Sequence, residues 1–171
     1  KEVTQLIYVP ESVIDLRIPK TVTHFSLRDN TNIKKVTFEK DSAVREIADY
    51  AFFGCSNLTS IQIPEGVTSI GGYAFSGCSG LTNITIPENV RSIEDCAFAS
   101  CIRLTNITVS EDNPNYCDVD GVLYSKDGKK LIYYPAGLTG SYTVPEGTVS
   151  VGLHAFANSR SSEIILPDGI V

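Results

Sequence analysis

Three runs of this chain repeat one pattern at a fixed interval, and that interval limits the folds open to it. Ala51 to Ile70 reads Ala-Phe-Phe-Gly-Cys-Ser-Asn-Leu-Thr-Ser-Ile-Gln-Ile-Pro-Glu-Gly-Val-Thr-Ser-Ile. Ala74 to Ile93 rewrites it slot by slot, and Ala97 begins it again. Cys55, Cys78 and Cys101 stand 23 residues apart, as do Leu58, Leu81 and Leu104, and Ile61, Ile84 and Ile107. A period of roughly 20 to 50 residues marks a solenoid, whose coils cannot bury their apolar faces except against each other.

Each coil carries two pieces with a period of two. Ser60-Ile61-Gln62-Ile63, Asn83-Ile84-Thr85-Ile86 and Asn106-Ile107-Thr108-Val109 alternate polar and β-branched residues, which predicts a half-buried strand. Pro64 and Pro87 follow, where the missing donor ends pairing. Val67 and Ile70 mark a second, shorter extended piece, with Ser69 and Ser92 facing water. Gly71-Gly72 then leads into Tyr73-Ala74-Phe75, a small-large pair that predicts a tight helical or 3₁₀ turn filling the coil. One coil alone cannot offset the entropy of ordering its residues; stacked coils can.

The pattern fails at two places. Before Ala51 no Ala-Phe pair occurs, and two proline corners, Val9-Pro10-Glu11-Ser12-Val13 and Ile18-Pro19-Lys20-Thr21-Val22, are crowded together. Residues 1–32 are therefore expected to be an atypical N-terminal cap. Ile33, Val36 and Phe38 then take the slots of Leu58, Ile61 and Ile63, with a two-residue insertion before Val44 and Ile47. After Ala97-Phe98 the next Ala-Phe is Ala155-Phe156, so one long coil lacks that turn. In its place stand Glu111-Asp112-Asn113-Pro114-Asn115-Tyr116, then Gly121-Val122-Leu123-Tyr124 and Leu131-Ile132-Tyr133-Tyr134-Pro135 around Asp127-Gly128, which predicts a hairpin. The expected organisation is one solenoid over 1–171: cap 1–32, regular coils 33–110, hairpin insertion 111–135, and closing coils 136–171. Pro167-Asp168-Gly169 opens a further coil, which suggests a trimmed fragment.

Composition narrows the function. The net charge is −6 and the 14 Lys and Arg are scattered, so nothing provides the basic cluster that nucleic acid or an anionic membrane requires. No apolar run approaches a membrane span, and the first residues hold no apolar signal core. Three of the five cysteines share one slot, which favours a ladder of packed free thiols over disulfides; Cys96 and Cys117 are left open.

These residues resemble the BspA-like leucine-rich-repeat family of bacterial surface proteins, also found in some parasitic protists. The resemblance rests on the unit Ala-Phe-x-x-Cys-x-x-Leu-x-x-Ile-x-Ile-Pro-x-x-Val-x-x-Ile. It also rests on the insertion Asn113-Pro114-Asn115-Tyr116, Asp120-Gly121-Val122-Leu123-Tyr124 and Tyr134-Pro135. It implies a β-rich solenoid, a leucine-rich-repeat right-handed superhelix with a concave parallel sheet, short convex strands and turns, and one inserted β-hairpin. It further implies an exported or surface-displayed scaffold, adhesin-like, that binds extracellular or host proteins without catalysis or cofactor; the sequence leaves the oligomeric state open, with a monomer favoured.

Two surfaces are candidates for binding. The first is the exposed side of the long strands: Lys35, Thr37, Ser60, Gln62, Asn83, Thr85, Asn106 and Thr108. The second is the hairpin, with Tyr124, Tyr133 and Tyr134 as aromatic anchors or, equally, as cover for the core of the irregular coil. Catalytic and metal constellations are not found. His154 shares a slot with Tyr50, Tyr73 and Cys96, which indicates a rim position, and Asp118-Val119-Asp120-Gly121 reads as turn chemistry, short of the ligands a calcium loop needs. A structural spacer within a larger surface protein, or a carbohydrate-binding module, are the alternative functions.

Overall fold

The computed structural model describes residues 9–171 and the backbone of residues 5 and 6. Residues 1–4, 7 and 8 of the expected cap lie outside the described residues. Among the described residues there is no helix; the chain is a β-solenoid of about seven turns.

Two parallel ladders run along it. On the long-strand side, Asp15–Ile18 pairs in register with Lys35–Phe38, which pairs with Ser60–Ile61, while Asn83–Ile86 pairs with Asn106–Val109. Alternation sets the faces: Ile84, Ile86, Ile107 and Val109 are buried, and Asn83, Thr85, Asn106 and Thr108 are exposed. On the short-strand side, Glu46–Ile47, Ser69–Ile70 and Ser92–Ile93 pair in register, although Ser69 and Ser92 are half-buried. The corners at Pro19, Pro64 and Pro87 are proline turns, in which Val22, Val67 and Val90 donate to the proline carbonyls. Asp15-Leu16-Arg17-Ile18-Pro19 has the form of an ordinary strand and corner, so the ladder enters the segment expected to be atypical.

The third side departs from the expected helical turn. Ala74, Ser76 and Cys78 donate to Gly71, Tyr73 and Phe75, three residues back. The alternate donors, Tyr73, Phe75 and Gly77, reach forward to Asp95, Ala97 and Ala99 of the next coil. A 3₁₀ segment would keep every N–H for itself. Here half of them join coils, and the chain permits this by entering the left-handed region at Tyr73 (φ 56°) and Gly77 (φ 77°). Leu27 and Asp29 bond to Ala51 and Phe53 in the same manner, so Ser26-Leu27 fills the Ala-Phe slot of the preceding coil.

Inside, Phe52, Phe75 and Phe98 stack with ring centroids 5.0 and 5.7 Å apart. The expected thiol ladder is present: all five cysteines are free, and Cys55, Cys78 and Cys101 are buried. Each thiol donates to the preceding coil, Cys55 to Leu27 O (3.0 Å), Cys78 to Phe52 O (3.1 Å) and Cys101 to Phe75 O (3.1 Å). Mass spectrometry after iodoacetamide treatment of the native, unreduced protein is expected to find these three unmodified, and alkylated once denaturant is added. A disulfide joining any two of them contradicts the ladder.

The irregular coil holds two hairpins where one is expected. Tyr116–Val119 and Val122–Ser125 are antiparallel around Asp120-Gly121, both residues at positive φ (52° and 79°) as a two-residue hairpin turn requires. Val122–Ser125 then pairs antiparallel with Lys130–Tyr133 around Asp127-Gly128, and Lys130–Tyr133 pairs parallel with Ser150–Val151. The coil does not lack its turn: Tyr133-Tyr134 takes the slot, because Tyr134 donates to Ala155 O as Phe52 does to Ala74 O. Tyr133 faces back, its ring tilted against Phe98 (centroids 5.6 Å apart) and its hydroxyl donating to Phe98 O (2.7 Å), the next rung after the thiols. Tyr134 faces forward onto Phe156.

Between Ser92–Ile93 and this coil there is no strand pairing, and side chains fill the gap. Asn113, fully buried, donates to Pro87 O (2.8 Å) and Val90 O (3.0 Å) and accepts from the amides of Asn115 and Tyr116 (both 2.9 Å). Asn115 donates to Arg91 O, and the Tyr116 hydroxyl accepts from Ile93 N (2.9 Å). These are bonds that a neighbouring short strand makes in the regular coils, where Thr68 donates to Arg45 O and Arg91 to Thr68 O.

Candidate binding surface

The long-strand face brings most of the expected binding residues together. Lys35 lies beside Ser60, Asn83 beside Asn106, and Thr85 beside Thr108. Seven of the eight are exposed; Thr37 is half-buried and donates to Leu16 O. No strand bonds join Ser60–Ile61 to Asn83–Ile86, so the face consists of two abutting ladders. Asn106 is held by Thr108 (2.8 Å) and Asn83 by Thr82 (3.2 Å). Among the described residues, Lys35, Ser60, Gln62 and Thr85 spend no side-chain polar atom on another group.

Register adds two residues that the sequence reading left in the cap, Asp15 opposite Lys35 and Arg17 opposite Thr37. Their signal was available in the match of Leu16-Arg17-Ile18-Pro19 to Ile61-Gln62-Ile63-Pro64. Arg17 pairs with Glu39 (3.4 Å), so the charges of this face gather at its first end and the rest is neutral.

Both ends of the face are shaped by irregularities. Beside the two-residue insertion, where Lys40 and Asp41 are exposed, lies a cleft of about 710 Å³, lined by Thr37, Phe38, Arg45, Gln62 and Pro64 among others. At the other end the first hairpin closes on Asn106–Val109: Gly121 O accepts from Ile107 N (2.9 Å), and Asp118 Oδ1 from Val109 N (2.6 Å). A side chain at 121 would meet Asn106 Oδ1 at 2.6 Å, so glycine is required for this approach. Asp118 and Asp120 thus serve the turn.

The hairpin tyrosines are no binding surface. Tyr124, Tyr133 and Tyr134 are buried at 1%, 6% and 2% exposure, and their hydroxyls bond Tyr142, Phe98 O and Ser161. They cover the core of the irregular coil. Burial pushes the Tyr124 and Tyr133 hydroxyls well above their ordinary range.

Of the reactive side chains, His24 and His154 are exposed. Cys96 and His154 line one cavity of about 160 Å³ left by the interrupted short-strand ladder, together with Ile93, Tyr116 and Ile132. Cys117 is half-buried, its thiol donating to Ser125 O (3.2 Å). Among the described residues no three His, Cys, Asp or Glu gather to hold a metal ion, and no helix is long and apolar enough to cross a membrane.

Parallel coils built on Leu-x-x-Ile-x-Ile strands define a leucine-rich-repeat protein. The profile of the BspA type leucine-rich-repeat region matches residues 11–118 in six copies, and the chain belongs to that family. No curated protein sequence matches it. Among solved structures it is similar to a leucine-rich repeat protein from Eubacterium ventriosum (29% identity, TM-score 0.82, covering 92% of this chain and 42% of that one). It is also similar to the pneumococcal vaccine antigen PcpA (26%, TM-score 0.71, 96% and 49%). A third is a leucine rich cell surface protein from Faecalibacterium prausnitzii (28%, TM-score 0.53, 93% and 56%). The chain therefore spans between two fifths and three fifths of these proteins.

Proposed function

We propose that this chain is a non-enzymatic, adhesin-like protein-interaction module of an exported or cell-surface protein, and that it meets an extracellular or host protein through its long-strand face. The carrying observation is that Lys35, Ser60, Gln62 and Thr85 lie exposed on this one face without partners of their own, with Gln62 at the edge of the 710 Å³ cleft. A rigid strand face with uncommitted donors and acceptors can exchange water for a partner without reorganising itself. The likeness to a surface antigen and a cell surface protein supports the location.

The test is a binding screen of the chain against extracellular-matrix proteins and glycans, run beside the variant Lys35→Ala/Gln62→Ala/Asn83→Ala/Thr85→Ala. The reading expects a protein ligand whose affinity falls at least about tenfold in the variant. Exposed positions such as these shift stability by only about 0.5 kcal/mol each, so the melting temperature is expected to stay close to that of the parent. Binding to nothing above background favours a spacer, and binding confined to glycans favours a carbohydrate module.

A further inference from the structure

A second surface runs along the rim between the short strands and the turns. Tyr50 and Tyr73, in the same slot of successive coils, are 37% and 40% exposed and stack parallel at 5.3 Å, with an angle of 1° between their rings. Both sit in the left-handed backbone region (φ 59° and 56°), where glycine or asparagine is easier to accommodate than a bulky aromatic. Neither ring enters the core, so core packing does not account for aromatics there.

One end of this stack already holds a cation. The Arg28 guanidinium lies 5.1 Å from the centroids of both Tyr50 and Phe53, with Asp29 at 3.4 Å on its Nε. Ring faces on one side and a carboxylate on the other form a cation-binding arrangement. At the other end, Tyr73 presents the same elements with no cation. The next residue in the slot is Cys96, so no further ring covers Tyr73, whose hydroxyl is pushed upward by its hydrogen bond to that thiol.

A shallow groove of about 610 Å³ runs beneath, edged by Glu46, Asp49, Tyr50, Tyr73, Glu94 and Asp95. It contains four carboxylates and no basic residue. Among the described residues the ion pairs are Arg17–Glu39 and Arg28–Asp29, so none of these four is neutralised within the chain. Asp49 accepts from Gly72 N (2.7 Å), which fixes one wall. Glu94 lies two coils from Glu46 and two residues further along the strand direction, about 12 Å away, which is between three and four residues of an extended chain.

We propose that this rim groove docks an extended, arginine- or lysine-bearing segment of a partner protein, with one basic side chain packed on Tyr73 and answered by Glu94 and Asp95. The surface is separate from the long-strand face, and its test does not depend on that face having a ligand.

The probe is a fluorescein-labelled peptide with two arginines three residues apart, followed by anisotropy at low ionic strength, with choline chloride as competitor. Tyr73→Asn, which tolerates the left-handed backbone, is expected to weaken binding at least about fivefold, and so is Glu94→Gln/Asp95→Asn. Glu146→Gln/Glu163→Gln removes the same charge far from the groove and is expected to change affinity less than about twofold. The long-strand variant Lys35→Ala/Gln62→Ala/Asn83→Ala/Thr85→Ala is expected to bind the peptide at least as well as the parent. Absence of peptide binding overturns the proposal. Equal weakening by the remote pair overturns it too, by reducing the effect to net charge. Displacement of the peptide by choline at equal concentration overturns it in favour of a small quaternary ammonium site.

Discussion

Replacing Asn113 with leucine is expected to lower unfolding free energy by on the order of 4 kcal/mol or more, measured by urea denaturation. Leucine matches the volume but offers no polar atom. Val90 O and the two amides of Asn115 and Tyr116 lose their partner together, while Pro87 O keeps only the longer bond from Val90 N (3.3 Å). Each buried group left unpaired costs about 1–3 kcal/mol, and the side chain is fully buried, so water cannot substitute. Asn115→Ala is the internal control: Asn115 is exposed and its side chain makes one bond, to Arg91 O, so about 1 kcal/mol or less is expected. Equal effects of the two substitutions would contradict the assignment of Asn113 as the hub of the irregular coil.

The second large effect is alkaline unfolding. Burial pushes the Cys55 and Cys101 thiols from near 9 up to about 12, and Cys78 in the same direction. Below about pH 9 both folded and unfolded chains keep these protons, and the stability linked to them is complete. Between about 9 and 12 the unfolded chain releases three protons that the native chain retains, so stability falls as pH rises. The slope is about 1.4 kcal/mol per thiol per pH unit, or about 4 for the ladder. Over the three pH units this removes about 12 kcal/mol, so a domain in the lower or middle part of the ordinary range of about 5–15 kcal/mol is expected to unfold before the thiols titrate in place. The urea midpoint measured from pH 8 to 11 checks this; Cys55→Ala/Cys78→Ala/Cys101→Ala is expected to move the fall upward, into the range set by the raised tyrosines. A midpoint unchanged through pH 11 would contradict it.

What the sequence disclosed follows from what repetition can reveal. Slots filled by the same residue type in every coil, such as Leu58, Ile61, Val67 and Cys78, were legible as core because burial makes the same demand on each coil. Ser26-Leu27 and Tyr133-Tyr134 were missed because they meet the demands of the Ala-Phe slot with other residues; shape and backbone bonding select them, and neither is visible in composition. The positive φ at Tyr50, Tyr73, Cys96 and His154 was hidden for a related reason. Left-handed backbone is normally read from glycine, and this slot has none. The first hairpin does leave a signal, Asp120-Gly121, but the same residues also fit part of a calcium loop, and a turn alone does not show that two strands pair across it.

The candidate surface divides in the same way. Alternation identified its exposed members, from Lys35 to Thr108, since a period of two assigns faces without knowledge of the neighbour. Register, cleft and free partners depend on which coil lies against which, so Asp15, Arg17 and the opening beside Gln62 required the structure. The tyrosines show the reverse error, because an aromatic in an insertion is ambiguous until its coil is closed.

The central claim is that the solenoid continues through the irregular coil where the short-strand ladder stops, with the side chains of Asn113, Asn115 and Tyr116 standing in for a missing strand. Native-state hydrogen exchange at the Ile93 amide tests it most directly, because that N–H bonds only the Tyr116 hydroxyl (2.9 Å). The account predicts protection in the parent comparable to that of Glu94, which bonds Ile70 O (2.9 Å), and loss of protection at Ile93 alone in Tyr116→Phe. Exchange of Ile93 at the rate of an unstructured peptide in the parent chain would contradict it.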